Sequence, residues 1–237
     1  MTGTPVRLLY LAPVPPADAA PGRRPVDRTP AGPEFVPDLD AATAAAAVDL
    51  LAHWWSRPLP PEVDTWLRVG DLARAVGDAC GTPEVLACDM GDTHALMQEY
   101  ERLFVGPGPV PCPPYESYWR NDVPIDLRNG LMGPCTAQLR ALYGQLGLQV
   151  RADAVELPDM LAIELEALAF ALVRPEAAAV ARALFVDHLS VWLPWFCRTV
   201  ERAAEHRFYR DLAVSTRAWL PPIEHHVAAT APGPGTT

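Results

Sequence analysis

Five cysteines, six histidines and a complete absence of lysine set the first limits on what this chain can do chemically. All 19 basic residues are arginine. No side chain is therefore present to form a Schiff base, anchor pyridoxal phosphate or serve as the lysine of a phosphate loop. Cys80, Cys88, Cys112, Cys135 and Cys197 include no C-x-x-C pair, which argues against a zinc knuckle or a disulfide framework. They read as reduced thiols of a cytoplasmic protein. Cys112, flanked by prolines, is a candidate exposed thiol, but the nearest histidine in sequence is His94 and nothing beside it activates it. There is no G-x-S-x-G, no G-x-G-x-x-G after a strand and no H-E-x-x-H. No glutamate is followed three places later by histidine, the unit of a di-iron bundle. His188, between Asp187 and Leu189, reads as a capping or half-buried histidine, and His225-His226 sit in a proline-rich tail. A metal- or small-molecule-binding helical enzyme using His188, Cys197 and that histidine pair is the alternative these residues leave open.

The sharper signal carries no nucleophile. Tyr100-Glu101-Arg102-Leu103-Phe104-Val105 reads as the end of an amphipathic helix, with Leu96, Tyr100, Leu103 and Phe104 on one stripe. It runs straight into 106–114, which holds five prolines and two glycines in nine residues. Proline fixes φ, so this segment is extended and stiff. It ends in Tyr115-Glu116-Ser117-Tyr118. Proline and aromatic side chains on a stiff loop offer apolar surface at low entropic cost, which suits peptide recognition. Composition alone favours Leu103 and Phe104 as core, with the loop merely crossing the surface.

The elements that must hold these residues are helical. With 237 residues, half of them apolar and a fifth charged, the chain can build one well-cored domain or at most two small ones. The formal charge of −10 has the wrong sign for nucleic acid and suits a cationic partner. Proline recurs nine times in residues 1–37, a composition that predicts a mobile arm, and 221–237 predicts a disordered tail. Leu8 to Ala12 is too short and too interrupted by proline for a signal-peptide core. No run reaches the roughly 20 apolar residues of a membrane span, and Leu157–Val173 carries Asp159, Glu164 and Glu166, which makes it a core helix. Between the ends, residues 38–220 predict one all-α domain. Asp38 or Asp40 caps a first helix to about Trp55, a second spans about 62–79, a short one starts at Thr82-Pro83-Glu84, and another spans 92–104. Later helices are expected at about 130–146, 158–173, 175–188, 190–206 and 208–219, with a boundary at Arg174-Pro175.

The pattern resembles the TorD/DmsD family of cytoplasmic chaperones dedicated to molybdenum oxidoreductases, within the NarJ-like superfamily. Tyr100, Leu103-Phe104, Gly106-Pro107, Pro113-Pro114-Tyr115 and Ser117-Tyr118 fill one hallmark. Glu156-Leu157-Pro158-Asp159-Met160 fills a second, an acid-Pro-Asp-His-like helix start, with Met160 where the family usually has histidine. Roles that rest on that histidine are not expected here, because a titratable ring has become a flexible apolar side chain. Tyr115 replaces a commoner tryptophan, keeping the apolar face and adding a polar tip. The resemblance spans about 41–220 and implies a TorD-like single-domain helical bundle, with neither catalytic residues nor cofactor nor metal. It implies a partner: the catalytic subunit of a molybdenum oxidoreductase, held through a twin-arginine leader until its cofactor is loaded, with export held back meanwhile. Such a leader is cationic at its start and apolar in its middle. The implied peptide-binding residues are Tyr100, Leu103, Phe104, Pro114, Tyr115, Ser117, Tyr118, Glu156, Asp159 and Met160, with Glu99, Glu101 and Glu116 adding negative charge. Asp159 would also stabilise the dipole of the helix that follows it. No membrane insertion is expected, and the assembly is a monomer or a helix-swapped dimer. The runner-up is an assembly factor for a nitrate-reductase-like enzyme that grips the folded subunit without a leader. Guanine nucleotide has little to hold it here, without lysine or a phosphate loop.

Overall fold

Asp40 starts the first helix. In the computed structural model, which describes residues 8–14, 39–57, 93–107, 109–120 and 130–230, its carboxylate accepts from Thr43 N at 2.8 Å. That satisfies one of the orphan donors of α1 (Ala41–Trp55). The expected helices at 62–79 and from Thr82 lie outside the described residues. α2 (Thr93–Tyr100) continues into one π-helical turn, Glu101–Val105, and stops where Gly106 takes φ 104° and the prolines begin. A short α3 (Glu116–Trp119), absent from the sequence expectations, follows the loop. α4 (Pro134–Gln145) has proline at its first turn, where the missing N–H costs nothing. α5 spans Leu161–Leu172, and Pro175–Ala177, α6 (Ala178–Ala183) and a π-helical turn Leu184–Leu189 lead into α7 (Ser190–Ala203). α8 (Arg207–Thr230) ends the described chain. Among the described residues, no helix is long and apolar enough to cross a membrane.

α5 is the centre. Every residue of it except Phe170 is buried, so the stripe Leu161, Leu165, Leu168, Leu172 is only part of an all-round apolar surface. α1 packs along it, α6 and the turn Leu184–Leu189 touch it as well, and α7 pairs with α8. Trp55 ties α1 to that pair: its Nε1 donates to Thr216 Oγ1 at 3.0 Å and its ring meets Phe196 edge-on at 5.0 Å.

Three boundaries differ from expectation. α8 continues through Pro221 and Pro222 to Thr230, so the tail does not begin at Pro221. Those prolines forfeit helical donors, but Trp219, Pro222, Ile223 and Val227 are buried there, and the His226 ring is bonded to Leu39 O at 2.8 Å. Packing outweighs the lost backbone bonds. Part of the N-terminal arm is likewise anchored. β1 (Leu11–Pro13) pairs antiparallel with β2 (Leu148–Val150), and Leu11 is only 2% exposed. α5 also begins at Leu161, not Pro158, which leaves Asp159 ahead of the helix.

Candidate functional site

The two sequence motifs lock together by backbone pairing. Leu161 N donates to Pro114 O at 2.9 Å, Glu116 N donates to Asp159 O at 2.9 Å, and Tyr115 faces Met160 in an antiparallel bridge between them. Side chains fasten the joint. The Asp159 carboxylate accepts from Ser117 N at 3.1 Å and from Thr136 Oγ1 at 3.2 Å, while Tyr143 Oη donates to Pro158 O at 2.7 Å. The proline loop is tied at both ends. Cys112 N donates to Leu103 O at 3.0 Å and Trp119 Nε1 to Pro113 O at 2.6 Å.

Beside this joint lies an open cleft of about 490 Å³. Tyr100, Phe104 and Met160 form its floor, and Pro113, Pro114, Tyr115 and Tyr118 one wall. Its rim is apolar and wet: Val105 is 51% exposed, Leu131 55% and Val155 97%. Glu156 supplies an acidic edge, and its carboxylate accepts from Tyr115 Oη at 2.7 Å. Burial first, then that bond, push the Tyr115 phenol well above its ordinary value, so it stays a neutral donor. The floor is rigid, because Phe104 sits among Tyr100, Trp55, Phe196 and Tyr209 at ring separations of 5.0–6.1 Å.

Seven of the ten residues implied by the resemblance line this cleft: Tyr100, Phe104, Pro114, Tyr115, Tyr118, Glu156 and Met160. Leu103, Ser117 and Asp159 do not. Leu103 and Asp159 are fully buried and Ser117 is 2% exposed, so they build the cleft from beneath. The expectation of a broadly acidic receptor is narrowed in the same way. Glu99 accepts from Arg102 at 2.7 and 2.8 Å and caps Glu205 N and His206 N. Glu116, with no exposure, is held by Arg120 and by the His188 ring at 2.8 Å. Glu101 pairs with Arg57 at the cleft mouth. Glu156 is the acid of this set with its carboxylate on the cleft and no cation on it among the described residues. Sequence reasoning missed Arg57, Leu131 and Val155, which belong to no motif, and Val105, which lies inside the first motif but fills none of its hallmark places.

The other chemical candidates disperse. Cys112, expected at the surface, has no exposure, and burial pushes its thiol up to about 12; Cys135 is pushed equally far and Cys197 still further. These are packing residues. Glu164 is buried in α5 beside the Trp192 indole, and burial drives its carboxyl far above the usual range, the nearby Glu116 and Asp159 adding to it and Trp192 opposing. Among the described residues, no three histidine, cysteine or acidic side chains converge to hold a metal.

Comparison with known proteins gives the same direction. Residues 69–198 match the family model described as nitrate reductase delta subunit. The chain is 31% identical over 134 residues to the Tat proofreading chaperones DmsD of Salmonella typhi and Salmonella typhimurium. That match covers 55% of this chain and spans 63% of the length of those relatives. A crystal structure of a redox enzyme maturation protein from Archaeoglobus fulgidus is 25% identical, with a TM-score of 0.47 over 77% of this chain and 93% of that one.

Proposed function

The chain belongs to the nitrate reductase delta subunit family, and we propose that it is a non-catalytic chaperone that holds the leader of a molybdenum oxidoreductase catalytic subunit in the cleft beside Tyr115. The observation that carries this reading is the convergence of the two motifs on one cleft with an aromatic floor, an exposed apolar rim and, at its edge, Glu156, on which no cation sits among the described residues. An apolar leader segment would lie against Phe104, Pro114, Tyr115 and Met160, with an arginine at Glu156. Burying four apolar anchors is worth about 6–12 kcal/mol gross, and lost freedom takes back several kcal/mol. A micromolar to sub-micromolar affinity follows, about −8 to −9 kcal/mol. That detains a leader without trapping it. The names of the Salmonella relatives, Tat proofreading chaperones, agree with this reading.

The test is fluorescence anisotropy with a labelled synthetic peptide of two arginines followed by about ten apolar residues. Tyr115→Ala is expected to weaken binding tenfold or more with little change in melting temperature, since its ring is only half-buried. Equal affinity in the variant would remove the proposed site. The family's own description favours a second reading, an assembly factor that grips the folded subunit of a nitrate-reductase-like enzyme. Binding to a subunit lacking its leader, with no affinity for the peptide, would select it.

A further inference from the structure

The chain reverses direction at the end of α4, and a second hollow opens there. Gly147 takes φ 70° just past the helix and turns the chain into β2. On α4, Arg140 and Tyr143 stand three places apart and share one face of the helix. Together with Glu156, Pro158 and all four residues 148–151 they line a hollow of about 390 Å³. Alternate side chains of a strand point to opposite faces, so a hollow touching four residues in a row runs along an edge of β2 and not over one face. β1 holds the other edge, and among the described residues no further strand covers this one. Arg151 N donates to Tyr10 O at 2.8 Å. By the alternation of an antiparallel ladder, Val150 therefore turns its N–H and C=O away from β1, to the hollow's side. The back of the hollow is fixed, because the buried Tyr143 is bonded through its Oη to Pro158 O at 2.7 Å.

The charges around it follow an order. Arg151 is spent on Asp153, at 2.7 and 3.0 Å. Arg140 is exposed, and no acid sits on it among the described residues. Glu156 lines this hollow and the Tyr115 cleft alike, so it stands as a partition between an apolar site and a cationic one.

We propose that this hollow is a second subsite, which takes a short, extended, acidic stretch of peptide: the main chain pairs with the open edge at Val150 and a carboxylate meets Arg140. An open strand edge is a template for such pairing, and the side chains beside it supply selectivity. In the reading above, the apolar part of a leader lies beside Tyr115 with an arginine at Glu156. The residues ahead of the arginines then reach the second hollow, and the charges alternate, arginine on Glu156 and acid on Arg140. That the occupant is a leader rests on the function proposed above; the acid-binding edge does not. An ion pair at an exposed arginine contributes little alone. Joined to a segment already bound, it acts at high effective concentration. The subsite thus selects among peptides that the cleft already holds. Glu156 has opposite effects on the two charges, drawing in arginine and repelling a free acidic peptide.

Two measurements on the full chain test this. The first uses a blocked tetrapeptide of alternating glutamate and valine, titrated at millimolar concentration into 15N-labelled protein while arginine Nε and backbone amide resonances are followed. Saturable shifts are expected at Arg140 and Val150, lost in Arg140→Gln and reached at lower peptide concentration in Glu156→Gln. No shift, equal shifts with the glutamine-valine tetrapeptide, or a response matched by sulfate with Val150 unmoved overturns the subsite. The second is anisotropy with the two-arginine peptide extended at its N-terminus by Glu-Val-Glu or by Gln-Val-Gln. The acidic extension should bind about fivefold more tightly than the neutral one, and that ratio should fall to about one in Arg140→Gln. Equal affinity of the two extensions in the wild type overturns the continuity with the cleft. A protein that binds the acidic tetrapeptide at Arg140 and Val150 but ignores the unextended two-arginine peptide sustains the subsite and sinks the leader reading alone.

Discussion

Replacing Asp159 by alanine separates a residue that touches the ligand from one that holds the site together. Its carboxylate is fully buried and accepts from Ser117 N and Thr136 Oγ1, at 3.1 and 3.2 Å. Hydrogen bonds to an ionised group contribute about 1.5–3 kcal/mol each, and the donors left behind are buried. Allowing for non-additivity, Asp159→Ala should cost about 2–4 kcal/mol. In a domain of this size, that lowers the melting temperature by roughly 5–15 °C. Asp159→Asn retains an oxygen for Ser117 N and an amide for the Thr136 hydroxyl, so it should stay within about 1 kcal/mol of wild type. Scanning calorimetry gives the stability, and peptide anisotropy at 15 °C, far below either transition, gives the affinity. Binding by the asparagine variant should be close to wild type. A protein with unchanged melting temperature and abolished binding in Asp159→Ala would refute the reasoning, because the carboxylate would then have to reach the ligand.

Three further outcomes are expected. Glu164 is fully buried and its carboxyl is raised. A raised carboxyl stabilises the fold at low pH, and that contribution is lost as pH climbs above the unfolded value of about 4.3. Glu164→Gln should therefore flatten the decline in melting temperature between pH 5 and 9, and an unaltered slope would contradict it. Glu156→Gln should reduce the salt dependence of the peptide association rate, because the encounter loses its steering charge at the cleft; stopped-flow measurements at 50 and 500 mM salt decide this, and identical slopes would exclude the role. Val155 is 97% exposed on the rim, so Val155→Ser should leave the melting temperature within 1 °C while weakening the peptide severalfold by anisotropy; an unchanged Kd would place the peptide elsewhere.

Local signals in the sequence carried well. Asp40 as a cap, the stop at Gly106 and the break at Arg174-Pro175 depend on neighbours a few residues away, and each is where the spacing put it. The cleft was half legible. The motifs named the right loops, but spacing cannot tell which face of a loop is buried, so Asp159 and Ser117 were grouped with true lining residues. The acids divide: Glu99 and Glu116 are consumed by Arg102 and Arg120 at the i,i+3 and i,i+4 spacing of a helix, a signal the sequence carries, whereas His188 is brought to Glu116 by packing across 72 residues. Proline was over-read at both ends. Its helix-breaking rule holds for isolated helices, whereas Pro222 lies on a buried face with Ile223 and Val227 that carries the helix past exposed Pro221, and the N-terminal segment is pinned by Glu166, which lies 156 residues beyond Tyr10. Val155, one place ahead of the second motif and outside its pattern, was invisible.

The central claim is that a leader lies in the cleft. Its most direct test is a photo-crosslink: benzoylphenylalanine at position 155, irradiation in the native host during anaerobic growth, and mass-spectrometric mapping of the joined peptides. The account predicts crosslinks to the uncleaved leader of one molybdenum oxidoreductase catalytic subunit, lost when Tyr115→Ala is added. Crosslinks confined to the mature part of a subunit, or equally strong with Tyr115→Ala, would contradict it.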